Sequence, residues 1–287
     1  MTFLPIGSAV TPAPDGGYPN HNTAEGEDAL FTAPNVNNTA LGYHALHNNN
    51  GGKENTAVGS ETLVANTTGT NNTATGHAAL MGSIITGHVN NGSNNTGDGE
   101  EALTSILDGN DNTATGYRAL LSMISGSKNT ATGSLAMRYS SGSFNTAVGM
   151  EALRGGINPN NNYGGQNTAT GYQALYSNAG GGSNTADGFA ALITNVWGWN
   201  NTATGYYALL NATGSFNIGL GQQAGSKLTT GNYNIDIGNQ GLAGEAQTIR
   251  IGDSNQTNTY VAGIWNVTIP KGANVIVDPS GHLGTVP

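Results

Sequence analysis

One pattern governs what this chain can fold into: N-T-A-x-G-x-x-A-L recurs along it at nearly constant spacing. Copies start at Asn22, Asn38, Asn55, Asn72, Asn95, Asn112, Asn129, Asn145, Asn167, Asn184 and Asn201, with degenerate copies at Asn217, Asn234 and Thr248. The steps are 16 or 17 residues, apart from two of 23 and 22 and a last one of 14. Helical solenoids need repeats of more than about 30 residues, and Asn, Thr and Gly are poor helix formers. The unit therefore reads as one coil of an all-β, parallel β-solenoid with about 14 turns of 16–17 residues. N-T-A-x predicts a short strand, Gly a bend, x-x-A-L a second short strand, and a polar stretch returns the chain. Coils stacked about 4.8 Å apart predict a rod roughly 60 Å long.

Comparing the copies position by position assigns roles. The recurring Asn can form amide ladders from coil to coil. The third position is mostly Ala, with the smaller Gly97 and Gly219 among the exceptions, as a narrow interior demands. The fifth is Gly, where a bend needs positive φ or no side chain. The fourth varies from Glu25 and Leu41 to Thr75 and Asp187, so it is no uniform core site. Leu closes ten units, nearly always after Ala, and Met137 replaces it in one more. Adjacent strand residues face opposite ways, so this pair predicts two covered faces: one in the coil's own core, the other against a neighbouring subunit. Tyr172, Phe189 and Tyr206 share one position in three successive units and should stack.

Composition narrows the function classes. Only 9% of residues are charged, while Gly (45), Asn (39) and Thr (34) dominate. Disorder by charge repulsion needs high net charge with low hydrophobicity, and nine Pro without a G-X-Y register exclude collagen. Eight basic residues against 17 acidic ones, net −9, do not suit a nucleic-acid backbone. Without Cys there is neither a disulfide nor a thiolate ligand. No apolar run approaches the length of a membrane span. The first ten residues lack the basic start and long apolar core of a signal peptide. Three regions are expected: residues 1–20 as a Pro/Gly-rich extension, 21–252 as the solenoid, and 253–287 as a β-rich neck or cap. In the last region Tyr260–Ile269 and Asn274–Gly281 read as strands around turns.

The N-T-A-x-G-x-x-A-L units resemble the head repeats of trimeric autotransporter adhesins, with their N-S-V-A-I-G type of motif. They are also similar to repeat regions of bacterial exported proteins and phage-type tail fibres that end in an endosialidase-type intramolecular chaperone. The opening from Pro12 through Gly26 and the ending from Thr248 through Val286 share that likeness. The resemblance implies a left-handed β-roll wound by three identical chains, extracellular or cell-surface display, and a role in adhesion or as a fibre shaft. Units here are longer than the adhesins' repeat, and no chaperone follows Val286, which implies a matured or truncated chain with its secretion signal elsewhere.

Candidate binding residues sit where the period breaks. Met81–Asn94 and Arg154–Gln166 are each about six residues longer than their counterparts, on one edge and four coils apart. Protruding loops on a rigid scaffold are where solenoids bind, which singles out His88, Asn91, Asn160 and Tyr163. Trp197 and Trp199 occupy an otherwise polar return loop, where exposed aromatics can stack on sugar rings or anchor a partner. Neutral insertion and subunit packing are the plain alternatives. Chemistry-bearing patterns are poor. His44 and His47 straddle a strand and its loop and read as exposed polar residues, and no H-E-x-x-H occurs. The stretch from Asp108 departs from a calcium loop, with Thr113 at the required Gly and Ala119 at the bidentate Glu. No paired carboxylates, G-x-S-x-G or GxGxxG are present, so no catalytic, cofactor or metal residue is assigned. The expectation is a non-catalytic structural and adhesive fibre segment, partnered by itself as a homotrimer and by a host-surface glycan or protein receptor. One alternative is an ice- or crystal-surface binder using T-x-T rows; another is a carbohydrate-processing β-helix tailspike.

Overall fold

Within each repeat the β-branched Thr and the small Ala favour a pleated surface, while the Gly that follows ends the strand after three residues. The computed structural model describes residues 19–32, 36–82, 90–156, 162–261, 275–277, 279, 281 and 283–285. Strands β1 to β14 are, in chain order, Thr23–Glu25, Thr39–Leu41, Thr56–Val58, Thr73–Thr75, Thr96–Asp98, Thr113–Thr115, Thr130–Thr132, Thr146–Val148, Thr168–Thr170, Thr185–Asp187, Thr202–Thr204, Ile218–Leu220, Ile235–Ile237 and Ile249–Ile251. They form one 14-stranded sheet in sequence order. Every pair is parallel and keeps repeat position over repeat position, as in Ala40 over Ala57 and Ala114 over Ala131. The result is a β-solenoid of about thirteen turns, the fourteenth strand marking where the last one closes. In β1 to β13 the middle residue is buried and its two neighbours are more exposed, as in Ala74 and Ala131.

The corner after the Gly departs from the expected second strand. Its residues are turns, and two in each corner adopt left-handed φ, such as Arg118 (55°) with Leu120 (52°). Bonds from Ala45 N to Gly42 O and from His47 N to His44 O, both 3.3 Å, close two successive tight turns. Because Leu is not extended, its side chain does not oppose that of the preceding Ala. Both are buried in the same chain's core: Ala45 with Leu46, Ala119 with Leu120, Ala208 with Leu209. The neighbouring subunit inferred from two covered faces is therefore not needed to bury this pair. Holding a non-Gly residue left-handed costs roughly 1–2 kcal/mol, whereas burying a Leu contributes about 1.5–3 kcal/mol; burial outweighs strain.

Polar columns lie beside the core. Each buried Asn at the repeat's first position accepts, through Oδ1, the backbone N–H of the Asn one coil on, at 2.8–3.0 Å in the first three steps. Its amide N–H donates to a return-loop glycine carbonyl, as Asn55 does to Gly69 O at 2.9 Å. That carbonyl belongs to a second glycine column, Gly52, Gly69, Gly92 and onward, which the repeat motif does not display. A second Asn column includes Asn66, donating to Asn49 Oδ1 at 2.9 Å, and Asn195, donating to Asn178 Oδ1 at 3.0 Å. At the bend, Gly116 has φ of 124°, and a Cβ there would press on the Gly133 backbone.

After the two long insertions the described chain resumes at Asn90 and Asn162. Asn162 ties the neck of the second: its amide donates to Gly156 O at 2.7 Å and Tyr139 O at 2.9 Å, and Gly156 N donates back to its Oδ1 at 3.1 Å. By its contacts the chain divides into Met1–Gly252 and Asp253–Pro287. In the second unit β15 (Val275–Val277) pairs antiparallel with β16 (Leu283–Thr285). Tyr260 and Val261 lie outside any strand; the rest of the expected strand through Ile269, and residues 1–18, lie outside the described residues. Among the described residues no helix is long and apolar enough to cross a membrane.

Candidate functional site

The return edge of the solenoid gathers the aromatic residues that the sequence singles out. Writing the return loops in coil register places Trp197-Gly198-Trp199 one coil above Gly180-Gly181-Gly182. The rings use that space: a Cβ on Gly180 would collide with the six-membered ring of Trp197, and one on Gly182 with that of Trp199. The glycines are thus a bed on which both indoles rest, still 58% and 47% exposed. One coil further down, Tyr163 occupies the same column as Gly180 and Trp197.

Below Trp199 lies a shallow groove of about 390 Å³ lined by Ser141, Gly142, Ser143, Phe144, Tyr163, Gly165, Gln166 and Trp199. Two glycines and three aromatic side chains contribute to the lining. Polar groups sit among them: Gln166 Oε1 accepts from Ser183 Oγ at 3.2 Å, and Ser143 Oγ accepts from Ser127 N at 3.1 Å. Among the described residues its lining carries no carboxylate, imidazole or ammonium; Lys128 Nζ sits over the Phe144 ring, 5.3 Å from its centre. Such a surface can stack on the apolar face of a neutral ring and exchange hydrogen bonds with its hydroxyls.

The structure brings Tyr163 and Trp199 into one site and sets Trp197 beside it. Asn91 lies four coils from Tyr163, roughly 19 Å along the stack, and its Oδ1 is taken up by the hydroxyls of Thr67 (2.6 Å) and Thr68 (3.0 Å). His88 and Asn160 lie outside the described residues. Ser143, Phe144 and Gln166 carry no motif of their own, and Gln166 belongs to the repeat after the other two. Only the register of the return loops reveals that they meet. On the opposite corner Tyr172, Phe189 and Tyr206 stack as expected, with centroids 5.1 and 5.3 Å apart.

Two further clusters escaped the linear reading. His44 and His47 belong to the tight turns of one corner, not to a strand and its loop, and Asp28 of the preceding coil meets them, its Oδ2 3.5 Å from His44 Nε2. At the far end Asp236 takes the core position that Ala holds in most coils; it is 1% exposed, and neither carboxylate oxygen has a hydrogen-bond partner. Burial, and then the nearby Glu245 charge, push its carboxyl up to about 6 against the pull of Arg250. Arg250, directly over Asp236 in the sheet register, turns to Glu245 instead, Nη2 to Oε2 2.7 Å. Comparison with protein-family models, characterised proteins and solved structures gives no match to this chain.

Proposed function

We propose that this protein is a non-catalytic adhesive and structural fibre segment, displayed outside the cell or on a phage, that contacts a neutral surface glycan through its return edge. One observation carries this reading: a groove whose described lining pairs Phe144, Tyr163 and Trp199 with neutral polar side chains on a hydrogen-bonded solenoid. A rigid scaffold holds the ring faces apart without spending binding free energy on ordering them. The absence of acid, base or nucleophilic pairs from the groove's lining favours binding over hydrolysis. A glycan-array comparison of the wild type with Tyr163→Ala and with Trp197→Ala/Trp199→Ala tests it. Loss of signal in both variants is expected, at about 1–3 kcal/mol for each stacking face removed, the range known for aromatic faces stacking on nucleobases. Equal binding by all three proteins sinks the reading.

The homotrimer belongs to the same proposal, together with the left-handed winding implied by the resemblance to adhesin heads. Its support is the outward sheet face of the last three coils. There Thr gives way to Ile218, Leu220, Ile235, Ile237, Ile249 and Ile251, an apolar patch in an otherwise Thr-rich face. Light scattering should give three times the 29.1 kDa chain mass, and a monomer removes the trimer. One observation favours the ordered-surface alternative: Thr begins eleven consecutive strands, β1 to β11, in an unbroken column. The parallel column at the strand ends is interrupted by Glu25, Asp98 and Asp187, so thermal hysteresis is expected to be absent.

A further inference from the structure

We propose that Asp28, His44 and His47 bind one divalent transition-metal ion of the zinc, nickel or copper type, which clasps the first coil of the solenoid to the second. One carboxylate oxygen and two imidazole nitrogens form a donor set that suits these borderline ions and suits calcium or magnesium poorly. One candidate donor atom from each residue lies within 4.8 Å of the other two. Bonds of 2.0–2.1 Å in a tetrahedral site put neighbouring donors about 3.3 Å apart. Asp28 Oδ2 and His44 Nε2 already stand at 3.5 Å. The third donor needs to move inward by no more than about 1.5 Å, within reach of a side-chain rotation.

The backbone beneath these groups is held in place. Asp28 and His44 occupy the same repeat position with φ of 53° and 55°, which projects both side chains from the same corner. His44 N donates to Glu27 O at 3.0 Å and Leu30 N to Ala45 O at 2.9 Å, locking the two coils together below the site. His47 is oriented independently of any metal. Its Nδ1 lies 3.1 Å from Asn48 Oδ1, a contact that fixes the ring's orientation; a tautomer donating there leaves Nε2 as the ligating nitrogen. Phe31 stacks on the ring at 5.1 Å and 6°. An Asp–His ion pair would use one imidazole; a second, edge-on at 4.9 Å, adds nothing to that pair and completes a three-ligand set.

The test titrates the full chain, free of any polyhistidine tag, with ZnCl2, NiCl2 and CaCl2 in a calorimeter. Saturable binding of one Zn²⁺ or Ni²⁺ per chain is expected, without a calcium response. Affinity should fall at least tenfold in His44→Ala and in His47→Ala and stay unchanged in His77→Ala, a histidine two coils away. Zn²⁺ should raise the melting temperature of the wild type and leave that of His44→Ala unmoved. No stoichiometric binding by the wild type, or full affinity in His44→Ala, overturns the proposal. Should the variants fail to fold, Co²⁺ added to the wild type decides: a visible absorption band saturating at one equivalent supports the site, and its absence overturns it.

Discussion

Asn112 shows what a single residue does in this fold. Its Oδ1 accepts from Asn129 N and Nδ2, both at 3.0 Å, while its own Nδ2 donates to Asn95 Oδ1 (3.0 Å) and Gly126 O (2.9 Å). A primary amide has the donor and acceptor this environment asks for; a carboxylate has acceptors only. Asn112→Asp should therefore set an anion against two acceptor oxygens in a site with no exposure, costing about 3 kcal/mol or more in urea unfolding. An unchanged midpoint would mean the column is not held by these amides. The Asn column was legible in the sequence because Asn opens nearly every copy of the motif. Asn66, Asn178 and Asn195 were not, because Ile106, Met123 and Ala212 hold the same place in other coils and break the pattern.

At the scale of one coil, the strand was readable and the corner was not. N-T-A-x has the alternation of a half-buried strand, whereas x-x-A-L contains nothing that announces left-handed φ, a conformation usually left to Gly or Asn. Leu accepts it because the narrow core rewards inward-pointing volume from both Ala and Leu. Leu120→Ala should accordingly cost about 2–5 kcal/mol, the range for a fully buried Leu in a packed core. The glycines separate by environment. Gly116→Ala meets both an unfavourable φ and the Gly133 backbone, and should cost about 2 kcal/mol or more. Gly238→Ala has positive φ but nothing within 4 Å of the new Cβ, so about 1 kcal/mol is expected. Hydrogen exchange at the two bends distinguishes them.

For the molecule as a whole, three perturbed carboxyl groups set the pH response. Asp236, with its carboxyl raised to about 6, contributes stability that is fully present below its unfolded value of 3.8 and lost as pH rises through 6. Glu101 and Glu245 are held below 4.5, first by hydrogen bonds from Arg118 and Arg250 respectively. Their contribution is present above 4.5 and lost in stronger acid. Stability should therefore be highest at about pH 4 to 4.5 and fall steadily as pH rises towards 7, and thermal melts across pH 4 to 8 read this directly. Asp236→Ala should raise the melting temperature at pH 7, by relieving an unpartnered buried carboxylate worth about 1–3 kcal/mol, and abolish the gain on acidification from pH 7 to 5. A melting temperature still rising over that interval in the variant would assign the effect elsewhere.

The sequence by itself determined the coil length, the strand, the inward Ala, the glycine bend, the Asn ladder and the aromatic stack. All of these repeat at a fixed period, and a period is a one-dimensional property. Tertiary structure decided what depends on the stacking of unlike coils. Trp197 and Trp199 rest on glycines 17 residues earlier, Tyr163 and Trp199 share a groove, and Asp28 meets two histidines of the next coil. The physical reason is the parallel register. It brings residues about 17 positions apart to within one strand spacing, so the sites are written across the repeats and not along them.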